Sequence, residues 1–368
     1  MLWLDTLAPL SDGATRRAAA PMAFRPFRIR GIVQDGRQVP VEEDVATTLP
    51  FGQVRRFRRP GAGRRVLVVA PLAGSFPLLM RDLVAGLLHH APEVAVTDWP
   101  DPRHVPLAAG RFGFDENVLE TAQMIRALGP GAHVVGVCQG VIAAFAASAL
   151  LAEDGLAPLS LTLLGGPVDP ARNPTRLDRT LAAKPLSALG ALMEQVPVPF
   201  AGASRSVFPR RRQMQAFGFY LWRQALNGGE LPLKLVLDDG TEPFLFPLTR
   251  LCWDMMDIPA EFFLENVGHV FQARSLARGT LEVAGRRVRP EALERTALLT
   301  GEAAQDDIAA PGQTGAAQDL CRAMPDDLRR RLLVPRAGHF SLFYGKRMRE
   351  EVLPPLANLM EMAEQRLG

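Results

Sequence analysis

Residues 136–140 read Gly136-Val137-Cys138-Gln139-Gly140, a thiol between two glycines where the apolar run His133–Val137 meets the small-residue run Val141–Leu151. A strand that turns abruptly into a helix is crowded by Cβ atoms on either side of its apex. Glycines relieve that crowding and leave the apical side chain standing clear of the sheet edge. A thiol displayed there can attack an ester or thioester carbonyl, provided a base takes its proton and an acid orients the base. Both partners are present. The apolar run Ala297–Thr300 leads into Asp306-Asp307-Ile308, and Arg331–Val334 leads into Gly338-His339-Phe340. Each loop leaves the C-terminal end of a predicted strand, in the chain order nucleophile, acid, histidine.

The candidate catalytic residues are therefore Cys138, Asp306 and His339. Asp307 is the alternative acid. Asp306 is preferred because Ile308 would anchor the loop in the core and turn the carboxylate two residues earlier toward the imidazole. Charge developing on the carbonyl oxygen calls for two backbone amides. One is expected from Gln139, directly after the nucleophile, and the other from Leu72 or Ala73 in the loop Pro71–Ser75. Pro71 has no amide hydrogen to offer. The other five histidines (His89, His90, His104, His133 and His269) have no comparable placement, and Cys252 and Cys321 sit among apolar neighbours as packing residues. These parts predict double displacement: a thioester on Cys138 with expulsion of an alcohol, then transfer to water or another acceptor.

The elements that must position these residues follow from pattern. Asp35-Gly36 marks a hairpin turn between Phe27–Val33 and Gln38–Val41, candidate edge strands before the main sheet. Val66–Ala70, Val94–Thr97, His133–Val137 and Leu161–Leu164 are short apolar runs, as strands covered on both faces should be. Between them lie helical patterns, including Phe114–Leu128, with Asp115 available as its cap, and Gln139–Leu151. Strand and helix alternate at the spacing of a parallel sheet with helices on both faces. With the elbow at Cys138, the fold class is α/β, an α/β-hydrolase fold.

That rhythm breaks over residues 170–291, rich in proline, phenylalanine and long side chains, which predicts an inserted, mainly helical cap. The boundaries are an N-terminal segment of unassigned structure at 1–24, core at 25–169, cap at 170–291, and returning core at 292–368. Helices are expected at Gly312–Met324 and at Lys346–Glu364, the latter broken by Pro354-Pro355. The cap's aromatic and methionine side chains suggest an apolar acyl chain or polymer segment as substrate.

Composition excludes several classes. Forty-two basic against 39 acidic residues leave a net charge of only +3, too mild to argue for nucleic acid. Six arginines between Arg55 and Arg65, and a second knot at Arg210–Arg212, read as a solvated rim. Three scattered cysteines cannot build a disulfide framework or a thiolate metal site, and suit a reducing compartment. No apolar run reaches the roughly 20 residues of a membrane span, and the N-terminus lacks the pattern of a secretion signal.

The chain resembles the intracellular polyhydroxyalkanoate depolymerases, from about Phe27 onward. The resemblance is carried by Leu67-Val68-Val69-Ala70-Pro71-Leu72-Ala73-Gly74, Thr97-Asp98-Trp99, Gly110-Arg111-Phe112, Val137-Cys138-Gln139 and Leu164-Gly165-Gly166-Pro167-Val168-Asp169. It continues through Asp257-Ile258-Pro259-Ala260-Glu261-Phe262, Val283-Ala284-Gly285, Asp306-Asp307-Ile308, Gly312-Gln313-Thr314 and Gly338-His339-Phe340. It implies a Cys138–His339–Asp306 triad, cleavage of stored poly(3-hydroxybutyrate) at cytoplasmic granules, and neither cofactor nor metal, with coenzyme A as a candidate co-substrate acceptor. The implied partners are the granule surface and the polymer chain. A homodimer is compatible with it. Two positions depart from the pattern: Gly140-Val141 follows Gln139, and Ser75 stands where a histidine often follows the loop glycine. Polyhydroxyalkanoate synthases are the enzyme alternative, but they usually carry Asp-His-Ile and Gly-His-Ile at the acid and the histidine. An inactive granule-associated protein is the non-enzyme alternative, opposed by a complete triad.

Overall fold

The computed structural model describes residue 27 and residues 29–73, 78–226 and 255–368. Asp35 and Gly36 both take positive φ, 50° and 73°, and close a hairpin of β1 (Gly31–Gln34) and β2 (Arg37–Pro40). This pair forms a sheet of its own and does not extend the main one. The expectations for residues 1–24, for Cys252 and for Gly74-Ser75 lie outside the described residues.

Among the described residues the main sheet has eight strands. Along the chain they are β3 (Glu42–Thr48), β4 (Gln53–Arg58), β5 (Arg65–Val69), β6 (Glu93–Asp98), β7 (His133–Val137), β8 (Ser160–Leu164), and later β14 (Ala297–Ala303) and β15 (Arg329–Val334). Their spatial order is β15-β14-β8-β7-β5-β6-β4-β3. Both pairings of β4 are antiparallel and the rest are parallel. Every residue of β7 and β8 is buried, which is why these strands carry no alternating polar face. Helices α1 (Leu78–Leu87), α2 (Phe114–Leu128) and α3 (Gly140–Glu153) cross between strands. Helix α3 is buried on all sides from Gly140 to Leu151, as its run of alanine, valine and leucine requires.

β5 lies between β6 and β7, so the chain order reverses beside it. At such a reversal, loops leaving neighbouring strands diverge and open a crevice at the C-terminal edge. The elbow after β7 and the loop after β5 meet there.

Between β8 and β14 the chain builds the helical cap. It contains α4 (Arg176–Ala183), α5 (Leu186–Gly190), a small sheet of β9 (Glu194–Gln195), β10 (Ser206–Phe208) and β11 (Ile258–Pro259), then α6 (Arg210–Leu226) and α7 (Ala260–Asn266), which continues as a π-helical turn to Gln272. A two-stranded turn, β12 (Glu282–Val283) and β13 (Arg286–Arg287), precedes the return to the core. Thr175 and Asp178 cap α4 reciprocally, and Gln313 Nε2 donates to Asp178 Oδ2 at 2.7 Å, tying the cap to a core loop. This is an α/β-hydrolase fold with an inserted cap.

Some local expectations are corrected. Asp115 does not cap α2: Glu116 accepts from Gly113 N at 2.6 Å, and Asp115 Oδ2 instead accepts from Ala284 N at 2.9 Å. The helix expected over Gly312–Met324 shrinks to α8 (Ala316–Leu320), because Glu302 Oε1 captures the amides of Gly312 and Gly315 and holds a loop there. The helix expected over Lys346–Glu364 is not cut at Pro354 and Pro355: helical backbone runs from Gly345, turns π-helical over Met348–Val352 directly ahead of the prolines, and continues as α9 (Leu353–Leu367). The first arginine cluster is not a solvated rim throughout, since Arg55 is 3% exposed and bonds to Glu43 and Asp98 across neighbouring strands.

Glu120 on α2 is buried, with Oε1 accepting from Phe51 N at 3.1 Å and Oε2 without a hydrogen-bond partner among the described residues. Burial, opposed by that bond, pushes its pKa from 4.5 up to about 7. Folding therefore favours the protonated acid, a contribution complete below pH 4.5 and lost as the pH rises through about 7. Glu120→Gln should be more stable than the parent at pH 8 by about 3 kcal/mol, with the gap closing toward acid pH, as read from urea unfolding at both.

Candidate active site

Cys138 sits at the turn from β7 into α3 with φ of 53°, a conformation an L side chain adopts only under constraint. Its amide is held by Leu164 O at 2.9 Å. The flanking glycines have no room for anything larger. A Cβ on Gly140 would meet Val69 O at 2.4 Å, and one on Gly136 would meet Ala144 Cβ at 2.9 Å. The motif is thus a packing requirement of the helix against β5. Cys321, by contrast, is fully buried, with its thiol pKa pushed up to about 12 by burial.

Asp306 lies in the loop after β14. Its Oδ1 accepts from the amides of Ile308 and Ala309, both at 2.8 Å, and Oδ2 accepts from His339 Nδ1 at 2.7 Å. The Asp306 and His339 side chains are 0% and 1% exposed. His339 opens a short 3₁₀ turn after Gly338, and the rings of Phe340 and Phe343 stand edge-on to it at 5.3 and 5.5 Å. Its Nε2 makes no hydrogen bond of good geometry among the described residues, yet the ring is close enough to feel the Cys138 sulfur. Such loose contact is common in catalytic pairs before substrate binds. Burial alone would lower the His339 pKa, but Asp306, and after it Cys138, overcome that cost. They hold it well above the usual histidine range.

Asp307 faces the other way. It pairs with Arg223 of α6 and accepts from the Tyr220 hydroxyl, whose pKa burial and the two neighbouring carboxylates push up, keeping it a donor. Adjacent aspartates thus serve separate partners, one in the core and one in the cap.

The loop after β5 brings Leu72 N and Ala73 N together on one acceptor, the side-chain Oε1 of Gln139, each at 3.1 Å. Cys138, Gln139 and His339 line a cavity of about 340 Å³ under the cap. Its walls are mainly apolar, with Ile142, Phe208, Phe217, Met255, Phe263 and Phe343 prominent, and Arg223 and Asp307 supply a polar edge. Such a cavity suits an acyl chain whose few polar groups are held at one side.

Residues 165–364, more than half of the chain, match the family described as PHB de-polymerase C-terminus. The chain belongs to the PHB depolymerase family. No curated protein matches the sequence. Solved structures share the fold at low identity. A lipase in its open form is 14% identical with a TM-score of 0.54, covering 89% of this chain and 100% of its own. A protein assigned as an aryl esterase from Burkholderia cenocepacia is 14% identical with a TM-score of 0.51, covering 88% and 100%. This member of the PHB depolymerase family is a hydrolase-type enzyme of the α/β-hydrolase superfamily.

Sequence reasoning brought Cys138, Asp306, His339, Gln139, Leu72 and Ala73 to one sheet edge, and the structure gathers all six there. It missed Tyr220 and Arg223, although Tyr220 lies in the aromatic-rich cap sequence Phe217–Trp222. No local pattern tells which face of α6 meets the acid loop. It also missed the side chain of Gln139, since only the backbone amide there is demanded by the motif.

Asp306→Asn keeps an acceptor for the Ile308 and Ala309 amides but removes the charge beside the ring. The His339 pKa should then fall, because burial acts with less opposition. An NMR titration of the imidazole checks this, and an unchanged titration would mean that another group keeps the ring charged.

Proposed function

We propose that this protein cleaves ester bonds of stored poly(3-hydroxybutyrate), or a related short-chain polyhydroxyalkanoate, through Cys138 as nucleophile, His339 as acid and base, and Asp306 as orienting carboxylate. The observation that carries the reading is the buried Asp306–His339 contact of 2.7 Å, sharing one apolar cavity with a cysteine on a glycine-flanked elbow. Family membership supports the substrate class.

The chemistry follows from the proton inventory. Asp306, and after it the Cys138 sulfur, favour the charged form of the imidazole, so His339 takes the Cys138 proton as the sulfur becomes a nucleophile. The sulfur attacks the ester carbonyl, a C–S bond forms, and the electron pair moves onto oxygen. Collapse can expel either sulfur or alkoxide, and thiolate is the better leaving group. The reaction goes forward only if the alkoxide is protonated as the C–O bond breaks, and an imidazolium beside the sulfur supplies that proton. A raised histidine pKa therefore suits oxygen esters. In the second half His339 takes a proton from water as it attacks the thioester, the acid is released, and the expelled sulfur recovers its proton from His339. Coenzyme A in place of water would yield an acyl thioester by the same steps. Action at a granule surface in the cytoplasm belongs to this reading.

Purified protein should release soluble 3-hydroxybutyrate or its short oligomers from amorphous granules. Cys138→Ala should lower turnover by about 10⁴-fold or more with the circular dichroism spectrum unchanged. Full activity in Cys138→Ala would sink the mechanism, and polymer growth from hydroxybutyryl-coenzyme A would make the protein a synthase instead.

A further inference from the structure

Leu72 or Ala73 was expected to meet the substrate oxygen, yet both amides are already engaged. Each donates to Gln139 Oε1 at 3.1 Å. The orientation of this side-chain amide follows from its chemistry, since only the oxygen end can accept two N–H groups. Gln139 directly follows the nucleophile, and it lines the cavity together with Cys138 and Ala73. A neutral carbonyl oxygen thus rests where two backbone donors converge beside the attacking sulfur, and it belongs to the protein.

The geometry points to Gln139 as a resident surrogate for the oxyanion: its side-chain carbonyl fills the oxyanion hole at rest and yields it to the substrate oxygen as Cys138 attacks. This rests on the reading of Cys138 as the nucleophile of an ester-cleaving site. A ground-state ester carbonyl that displaces Oε1 swaps one neutral acceptor for another and gains nothing from the two amides. The oxygen becomes charged as the C–S bond forms, and hydrogen bonds to a charged acceptor are about twice as strong as neutral ones. The exchange turns favourable only then. Leu72 and Ala73 therefore give no net stabilisation to the bound ester and favour the transition state only as charge develops, so that the surrogate keeps ester binding weak.

A simple strap between the β5 loop and α3 would use the same two bonds, but the two roles differ in sign. Cutting a strap loosens the loop and lowers kcat. Removing a surrogate vacates the hole, so the neutral ester gains the amides and KM falls.

Gln139→Met keeps the length of the side chain and removes the strong acceptor. With a soluble p-nitrophenyl butyrate substrate its KM should drop about fivefold to tenfold, two neutral hydrogen bonds being at stake, and kcat/KM should rise by a similar factor. Gln139→Glu, equal in size, places a charged acceptor on the two amides. Its kcat/KM should fall about 100-fold below the parent at pH 8, and the ratio to the parent should recover as the pH is lowered and the carboxylate protonates. A lower kcat with an unchanged or higher KM in Gln139→Met overturns the surrogate. So does a Gln139→Glu ratio that is flat with pH, which decides the matter if the methionine variant fails to fold. Cys138→Ala in the same assay separates the two levels. Turnover in that variant, or none in the parent, defeats the site assignment and this inference with it, whereas Cys138-dependent turnover with an unmoved Gln139→Met KM defeats the surrogate alone.

Discussion

A carboxylate and an imidazole sealed from water must satisfy each other, and the contact between Asp306 and His339 does so with little left over. Taking both groups out of water is costly unless every lone pair and proton is used. Asp306 meets that condition by accepting two loop amides on one oxygen and the histidine on the other. The ring is thereby fixed in position with Nδ1 committed, and Nε2 is the only nitrogen left for the sulfur or the substrate. Loops after two neighbouring strands, β14 and β15, must be held in register for this single contact to exist, and their parallel pairing over six residues holds them.

The nucleophile end depends on a different constraint. Helix α3 approaches β5 so closely that Gly140 cannot carry a Cβ, and Cys138 is held at positive φ by the turn that results. The strand order places the loop after β5 beside that turn. Strain at Cys138, the approach of α3 and the convergence of the Leu72 and Ala73 amides are therefore consequences of one packing arrangement at the sheet's reversal point.

The cap closes over this edge and is tied to the same loop that carries the acid. Asp306 reaches into the core while Asp307 reaches α6 through Arg223 and Tyr220. A shift of the cap helix would be felt one residue from the carboxylate that orients His339. The contact to the lid and the contact to the imidazole are made by adjacent residues.

Much of this was readable from residue order. Strands buried on both faces announce themselves as apolar runs, and a fold with a parallel sheet collects its loops at one edge, so Cys138, Asp306 and His339 were placed there by counting strands. The glycine spacing already marked the elbow, and Asp35-Gly36 marked the hairpin. What pattern could not supply was direction within a loop or around a helix. Whether Asp115 caps its helix, which way each of two adjacent aspartates points, and that Gln139 folds its side chain back onto the β5 loop were all decided by partners distant in sequence. Local periodicity records which residues avoid water. It does not record which distant donor a buried acceptor will find, because that choice is made only when the elements pack and each polar group must take the partner then within reach.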